Sequence, residues 1–117
     1  MSYERIVYVD INNNIYKISD NVLTYKPVSP TKSSTGHYDG GSFTRVSLDR
    51  DALKKLSELA DKLLKDTTNH APVREKFDAV LVLTRNRKQT RLFLKNASAR
   101  QKWEACLRML IKRPENL

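Results

Sequence analysis

Residues 77–111 read FDAVLVLTRNRKQTRLFLKNASARQKWEACLRMLI, and the patterning of this stretch decides how the chain folds. Phe77 to Thr84 is a short, nearly continuous apolar run rich in Val and Leu, and Gln89 to Lys95 alternates polar with apolar residues. Both have the length and composition of strands. Arg85, Asn86, Arg87 and Lys88 lie between them, and Asn86 tolerates positive φ, which predicts a four-residue hairpin connection of type I or bulged form. Ser98 and Gln101 match a capping box, with Asn96 as the competing N-cap. Trp103, Cys106, Leu107 and Leu110 recur at helical spacing and predict an amphipathic helix whose stripe needs a sheet to cover. Arg100, Lys102, Glu104, Arg108 and Lys112 fall mostly outside that stripe, and Pro114 closes the segment.

Working outward, Ile6 to Ile11 is β-branched and aromatic and reads as a strand, broken by the turn signal Asn12-Asn13-Asn14. Ile15 to Ile18 returns as a second strand, and Val22 to Lys26 either continues it past a bulge or forms a third. Residues 27–42 hold Gly36, Gly40 and Gly41, the only glycines in the chain, and keep no period of two or 3.6. They predict a long loop, and loops of that length tend to be functional or mobile. Phe43 to Leu48 alternates again as a strand. Asp49 is a suitable N-cap, Leu48 and Leu53 are placed for a hydrophobic staple, and the apolar residues from Ala52 to Leu64 recur at three and four. A first helix is therefore expected from about Arg50, followed by a connecting loop over 66–76.

The expected fold class is α+β: an antiparallel sheet of five or six strands covered on one face by two helices, in the order β-β-(β)-β-α-β-β-α. At 117 residues, with 39% hydrophobic and 30% charged residues, the chain has the length and balance of one globular domain over 1–117. No apolar run reaches membrane-spanning length, and the N-terminal residues lack the apolar core of a signal peptide, so a cytoplasmic location is expected. The single Cys106 cannot form an internal disulfide and sits in an apolar stripe.

The net charge of +9 is uneven along the chain. Residues 1–66 carry ten Lys and Arg against nine Asp and Glu, whereas residues 67–117 carry twelve against four. Such asymmetry points to an acidic partner. Arg85, Arg87, Lys88 and Arg91, with Lys95 beyond them, concentrate charge on the hairpin, and Phe93 shares a strand face with Arg91 and Lys95, opposite Leu92 and Leu94. These six residues are the candidate partner-binding set. In the long loop, Lys32, His37, Tyr38 and Asp39 bring a cation, an imidazole, a phenol and a carboxylate close together beside paired glycines. That grouping also describes an ordinary turn, and catalysis requires a partner held at hydrogen-bond distance. Ser29-Pro30-Thr31-Lys32 has the form of a proline-directed phosphorylation site.

Two His and one Cys offer no clustered metal-ligand spacing, no phosphate loop or nucleophile elbow occurs, and no cofactor is implied. The reading is a small non-enzymatic binding domain that contacts an acidic protein surface, or a second copy of itself, through its basic second half. Two alternatives are non-specific nucleic-acid binding by the basic hairpin 85–95 and a small enzyme using His37, Tyr38 and Asp39. Tyr8, Tyr16 and Tyr25 either stack bases or, more commonly, form cross-strand pairs in a core.

Overall fold

The computed structural model describes residues 3–28 and 43–112. Lys32, His37, Tyr38, Asp39, the Ser29–Thr31 motif and Pro114 lie outside the described residues. In chain order the elements are β1 (Arg5–Val9), β2 (Ile15–Ser19), β3 (Val22–Lys26), β4 (Thr44–Ser47), α1 (Arg50–Lys65), β5 (His70–Ala71), β6 (Ala79–Arg85), β7 (Lys88–Leu94) and α2 (Ser98–Ile111). The strands form one antiparallel sheet in the order β4-β3-β2-β1-β6-β7-β5. The fold is α+β, with seven strands among the described residues where the sequence predicts five or six. Val22 to Lys26 is a separate third strand. The seventh is β5, a two-residue strand within the expected loop 66–76, too short to carry a periodicity of its own.

Strand alternation sends Ile6, Tyr8, Tyr16, Ile18, Leu23, Tyr25, Val46, Leu81, Leu83 and Leu94 to one face, where they join Leu56, Ala60 and Leu63 of α1 and Trp103, Leu107 and Leu110 of α2 in a single core. Tyr25, Tyr16, Tyr8 and Trp103 form a ladder of rings with successive centroid distances of 4.8, 6.0 and 5.9 Å. These tyrosines are core pairs and offer no stacking surface to solvent. Asp49 caps α1 by accepting a hydrogen bond from the Ala52 amide at 2.8 Å, and Lys62 and Lys65 in its last turn suit the helix dipole.

Three local expectations are corrected. First, β6 runs through Arg85 and β7 begins at Lys88, so a two-residue turn joins them. Asn86 and Arg87 have φ of 53° and 64°, the mirror-image turn whose twist matches that of the flanking strands, and Asp20-Asn21 between β2 and β3 repeats it with 53° and 63°. Second, the Ser98 and Gln101 capping box does not form. Helix α2 begins one residue too early, with Ala97 at the N-cap position and no side-chain cap, and Gln101 reaches Asn96 Oδ1 instead at 3.2 Å. Third, Arg100 belongs to the buried stripe. It lies three residues before Trp103 and is 5% exposed, and its guanidinium donates to the carbonyls of Phe77 at 2.9 Å and Leu94 at 3.0 Å. Glu104, whose carboxylate accepts from Tyr8 Oη, lies 3.8 Å from Arg100 Nε.

Phe77 lies outside β6 and has φ of 71°, a left-handed conformation that costs a bulky residue on the order of 1–3 kcal/mol. Arg87 pays a milder form of the same penalty at a turn position that favours glycine. Arg87→Gly is expected to raise stability by about 1 kcal/mol, since glycine enters this region without a Cβ clash. Asp49→Ala is expected to lower stability by about 1 kcal/mol through loss of the cap. Urea unfolding midpoints of the two variants check both signs.

Candidate functional site

The face of the sheet opposite the helices carries no described element, and its residues follow from strand parity. Register sets Phe93, Val80, Val9, Ile15 and Lys26 in one row across β7, β6, β1, β2 and β3. The next row is Arg91, Val82, Val7, Lys17, Thr24 and Arg45, and the third is Gln89, Thr84, Arg5, Ser19, Val22 and Ser47. Half-buried aliphatic side chains thus form the centre, with Phe93 at one side and Ile15 more exposed. Arg5, Lys17, Lys26, Arg45 and Arg91 are all exposed around them, and no Asp or Glu occupies an outward position in any strand. The ion pairs found among the described residues, Arg85 with Asp61 and Arg100 with Glu104, are both on the helix side.

The six hairpin residues therefore divide. Arg91 and Phe93 stand on the open face, as the alternation in β7 implies, and Lys95 is exposed just past the end of that strand, its amide donating to Asn69 O at 2.9 Å. Arg87 is exposed at the turn, with its amide donating to Glu4 Oε1 at 3.1 Å. Lys88 is exposed and has the opposite parity to Arg91. Arg85 is the last helix-side residue of β6 and is already engaged: its Nη2 lies 3.3 Å from Asp61 Oδ1 on α1, and its guanidinium sits 4.2 Å from the centroid of the Tyr3 ring. Tyr3 Oη donates to the same carboxylate. Arg85 is a clamp between β6, α1 and the N-terminal segment rather than a free cation. Arg5, Lys17, Lys26 and Arg45 lie in the half of the chain whose net charge is small, so its charge asymmetry does not point to them. Their outward parity was the signal that could have found them.

Burial, reinforced by the Asp61 hydrogen bond, pushes the Tyr3 phenol from 10.0 up to about 12. Burial likewise raises Tyr8 and Tyr16, and raises the Cys106 thiol, which disfavours the reactive thiolate. His70, in β5, donates through Nε2 to Leu63 O at 2.7 Å and so satisfies a carbonyl near the end of α1. Among the described residues no three His, Cys, Asp or Glu side chains come together as a metal site requires. No helix among them is long and apolar enough to cross a membrane. The chain matches no family model, no curated protein and no solved structure.

Arg85→Ala is expected to cost about 1 kcal/mol of stability through the lost ion pair and ring contact, whereas Arg91→Ala and Lys88→Ala are expected to cost less than about 0.5 kcal/mol. Chemical denaturation of the three variants separates the clamp from the free cations. Titration gives a second check. A phenol raised on folding contributes stability that is fully present below its unfolded value of 10.0 and is lost as pH rises through about 12. Stability should therefore fall across that window. The tyrosinate absorbance difference between the wild type and Tyr3→Phe should have its midpoint near 12, and Asp61→Asn should move it down.

Proposed function

We propose that this chain is a non-enzymatic binding domain of the cytoplasm whose open sheet face receives an acidic protein partner. The observation that carries the reading is the composition of that face: five exposed cations, no carboxylate and an aliphatic centre. Complementary charge steers encounter, while the desolvated apolar centre supplies most of the affinity. A rigid sheet fixes the cations in register, and Arg5, Arg45 and Arg91 each offer a guanidinium fork suited to carboxylates. Self-association through the same face is disfavoured, because a twofold contact would set like charges against one another. Single-stranded nucleic acid is the weaker reading, since unstacked bases seek aromatic platforms and Phe93 is the one aromatic side chain that the described strands present on the face.

Fluorescence anisotropy with a labelled peptide of mixed Glu and Val, and with labelled single- and double-stranded oligonucleotides, tests this across a salt series. Peptide binding is expected at low salt, and the Lys17→Glu, Arg91→Glu double variant should weaken it by about tenfold or more. Arg87→Ala with Lys88→Ala should leave it nearly unchanged. Tighter binding of oligonucleotides, falling linearly in log affinity with log salt, would transfer the face to nucleic acid. Failure of both probes to bind at low salt would remove the reading.

A further inference from the structure

The two ends of the sheet differ in what their connections expose. One end carries the Asp20-Asn21 and Asn86-Arg87 turns together with Glu4, all of them polar. At the other end Ile11 and Ile15 flank the β1–β2 connection at 39% and 37% exposure, and Phe43 precedes β4 at 56%. Val73 and Phe77, in the segment leading to β6, are 60% and 62% exposed. Of the large apolar side chains exposed among the described residues, only Met109 lies elsewhere, on α2. Arg74 ties the segment to this end, since its Nη2 reaches Asn13 Oδ1 at 3.1 Å and its Nε reaches Asp78 O at 3.3 Å. From Phe43 beside β4 to Phe77 below β6 the row crosses four strand intervals, roughly 20 Å.

Positive charge is interleaved with this row. Lys26 is exposed at the end of β3, Arg74 sits between Val73 and Phe77, and Lys76 Nζ is 5.2 Å from the Phe77 ring centroid. Two of the three carboxylates in the same connections are less exposed than these cations. Asp10 Oδ1 accepts from the amides of Asn12 and Asn14, both at 2.9 Å, and buried Asp78 accepts from the Glu75 amide at 3.0 Å, leaving Glu75 as the exposed acid of that segment. Phe77 supplies an independent observation. Its backbone is left-handed and its carbonyl is gripped by the buried Arg100, while its ring points to solvent. A glycine there would relieve the backbone and remove the exposed ring, so fold stability alone does not account for a phenylalanine at this position.

We infer that this end of the sheet docks on an anionic membrane surface, with Phe43 and Phe77 entering the boundary between headgroups and acyl chains and Lys26, Arg74 and Lys76 meeting the headgroup charge. Large apolar side chains on connecting segments, flanked by long cationic ones, suit an interface that is apolar beneath and anionic above. The apolar groups follow one another along one end of the sheet. Lys26 and Ile15 belong to both surfaces, so the two readings are separated by the residues they do not share, Lys17 and Arg91 for the open face and Phe43 and Phe77 for the sheet end.

The test is co-sedimentation of the protein with phosphatidylcholine vesicles and with vesicles that also contain phosphatidylglycerol. Binding is expected to the anionic vesicles alone, and Phe43→Ser with Phe77→Ser should weaken it by about tenfold or more, given the apolar area withdrawn. Phe77→Gly should weaken vesicle binding while matching or exceeding the wild type in resistance to urea, which excludes misfolding as the cause. The Lys17→Glu, Arg91→Glu variant should keep most of the vesicle binding. No association with anionic vesicles at low salt would overturn the inference. So would association that survives loss of both phenylalanines and disappears with the sheet-face charges, which would be charge adsorption by the open face. Lipid-free self-association abolished by Phe43→Ser with Phe77→Ser would assign the row to a protein contact instead.

Discussion

The closure of α2 over the sheet through Trp103 is the contact on which the rest of the architecture depends. Its indole meets Tyr8 edge-on, and Tyr8 begins the ring ladder that crosses β1, β2 and β3. The polar atoms around it form one group: Glu104 accepts from Tyr8, Arg100 lies beside Glu104, and Arg100 also donates to carbonyls just before β6 and at the end of β7. A buried guanidinium is costly to desolvate, and here it is matched by two carbonyls and a nearby carboxylate. The helix is thereby fixed to both ends of the β6–β7 hairpin, and the inward face of the sheet is committed to the core.

That commitment fixes the outward face as well. Because side chains alternate along every strand, whatever the core does not take is presented to the other side, and register then decides which residues stand together. Arg5, Lys17, Arg45 and Arg91 come from four strands distant in sequence and reach one face because each has the right parity. Among the described residues the open face holds cations without carboxylates, while both signs of charge are found elsewhere. Among the described residues the acidic ones lie on the helices and in the connections; Asp10 and Asp49 accept from nearby backbone amides, and Asp61 accepts from the distant Arg85.

Much of the fold was legible in the sequence for the same reason. The two helices and the six longer strands each carry a full period of apolar residues, and Asp49 announces its helix by the chemistry of its cap. What escaped is short or long-range. The two-residue β5 has no period, and the tight turn at Asn86-Arg87 was hidden because Arg87 occupies a place where glycine is usual. Arg100 reads as a surface residue until Phe77 O and Leu94 O are brought to it, which no local pattern reveals. The candidate site was half legible: Arg91 and Phe93 could be read from one strand, but their neighbours across the face depend on strand order. The clamp role of Arg85 requires Asp61 and Tyr3, which are far away in the chain.

The pairing of β1 with β6 also constrains the order of assembly. It matches Arg5 with Thr84 and Val9 with Val80, residues more than 70 positions apart, whereas the β1–β2, β2–β3 and β3–β4 pairings each join strands consecutive in sequence. The N-terminal strands can therefore zip as a meander early, at small entropic cost, while the central ladder must wait for a long loop to close. Until it does, the backbone edge of β1 and its Ile6 and Tyr8 side chains stand open in the middle of what will become the sheet. During synthesis the β6 partner of that edge emerges only about 70 residues after β1, and in that interval the edge is open to wrong strand pairing.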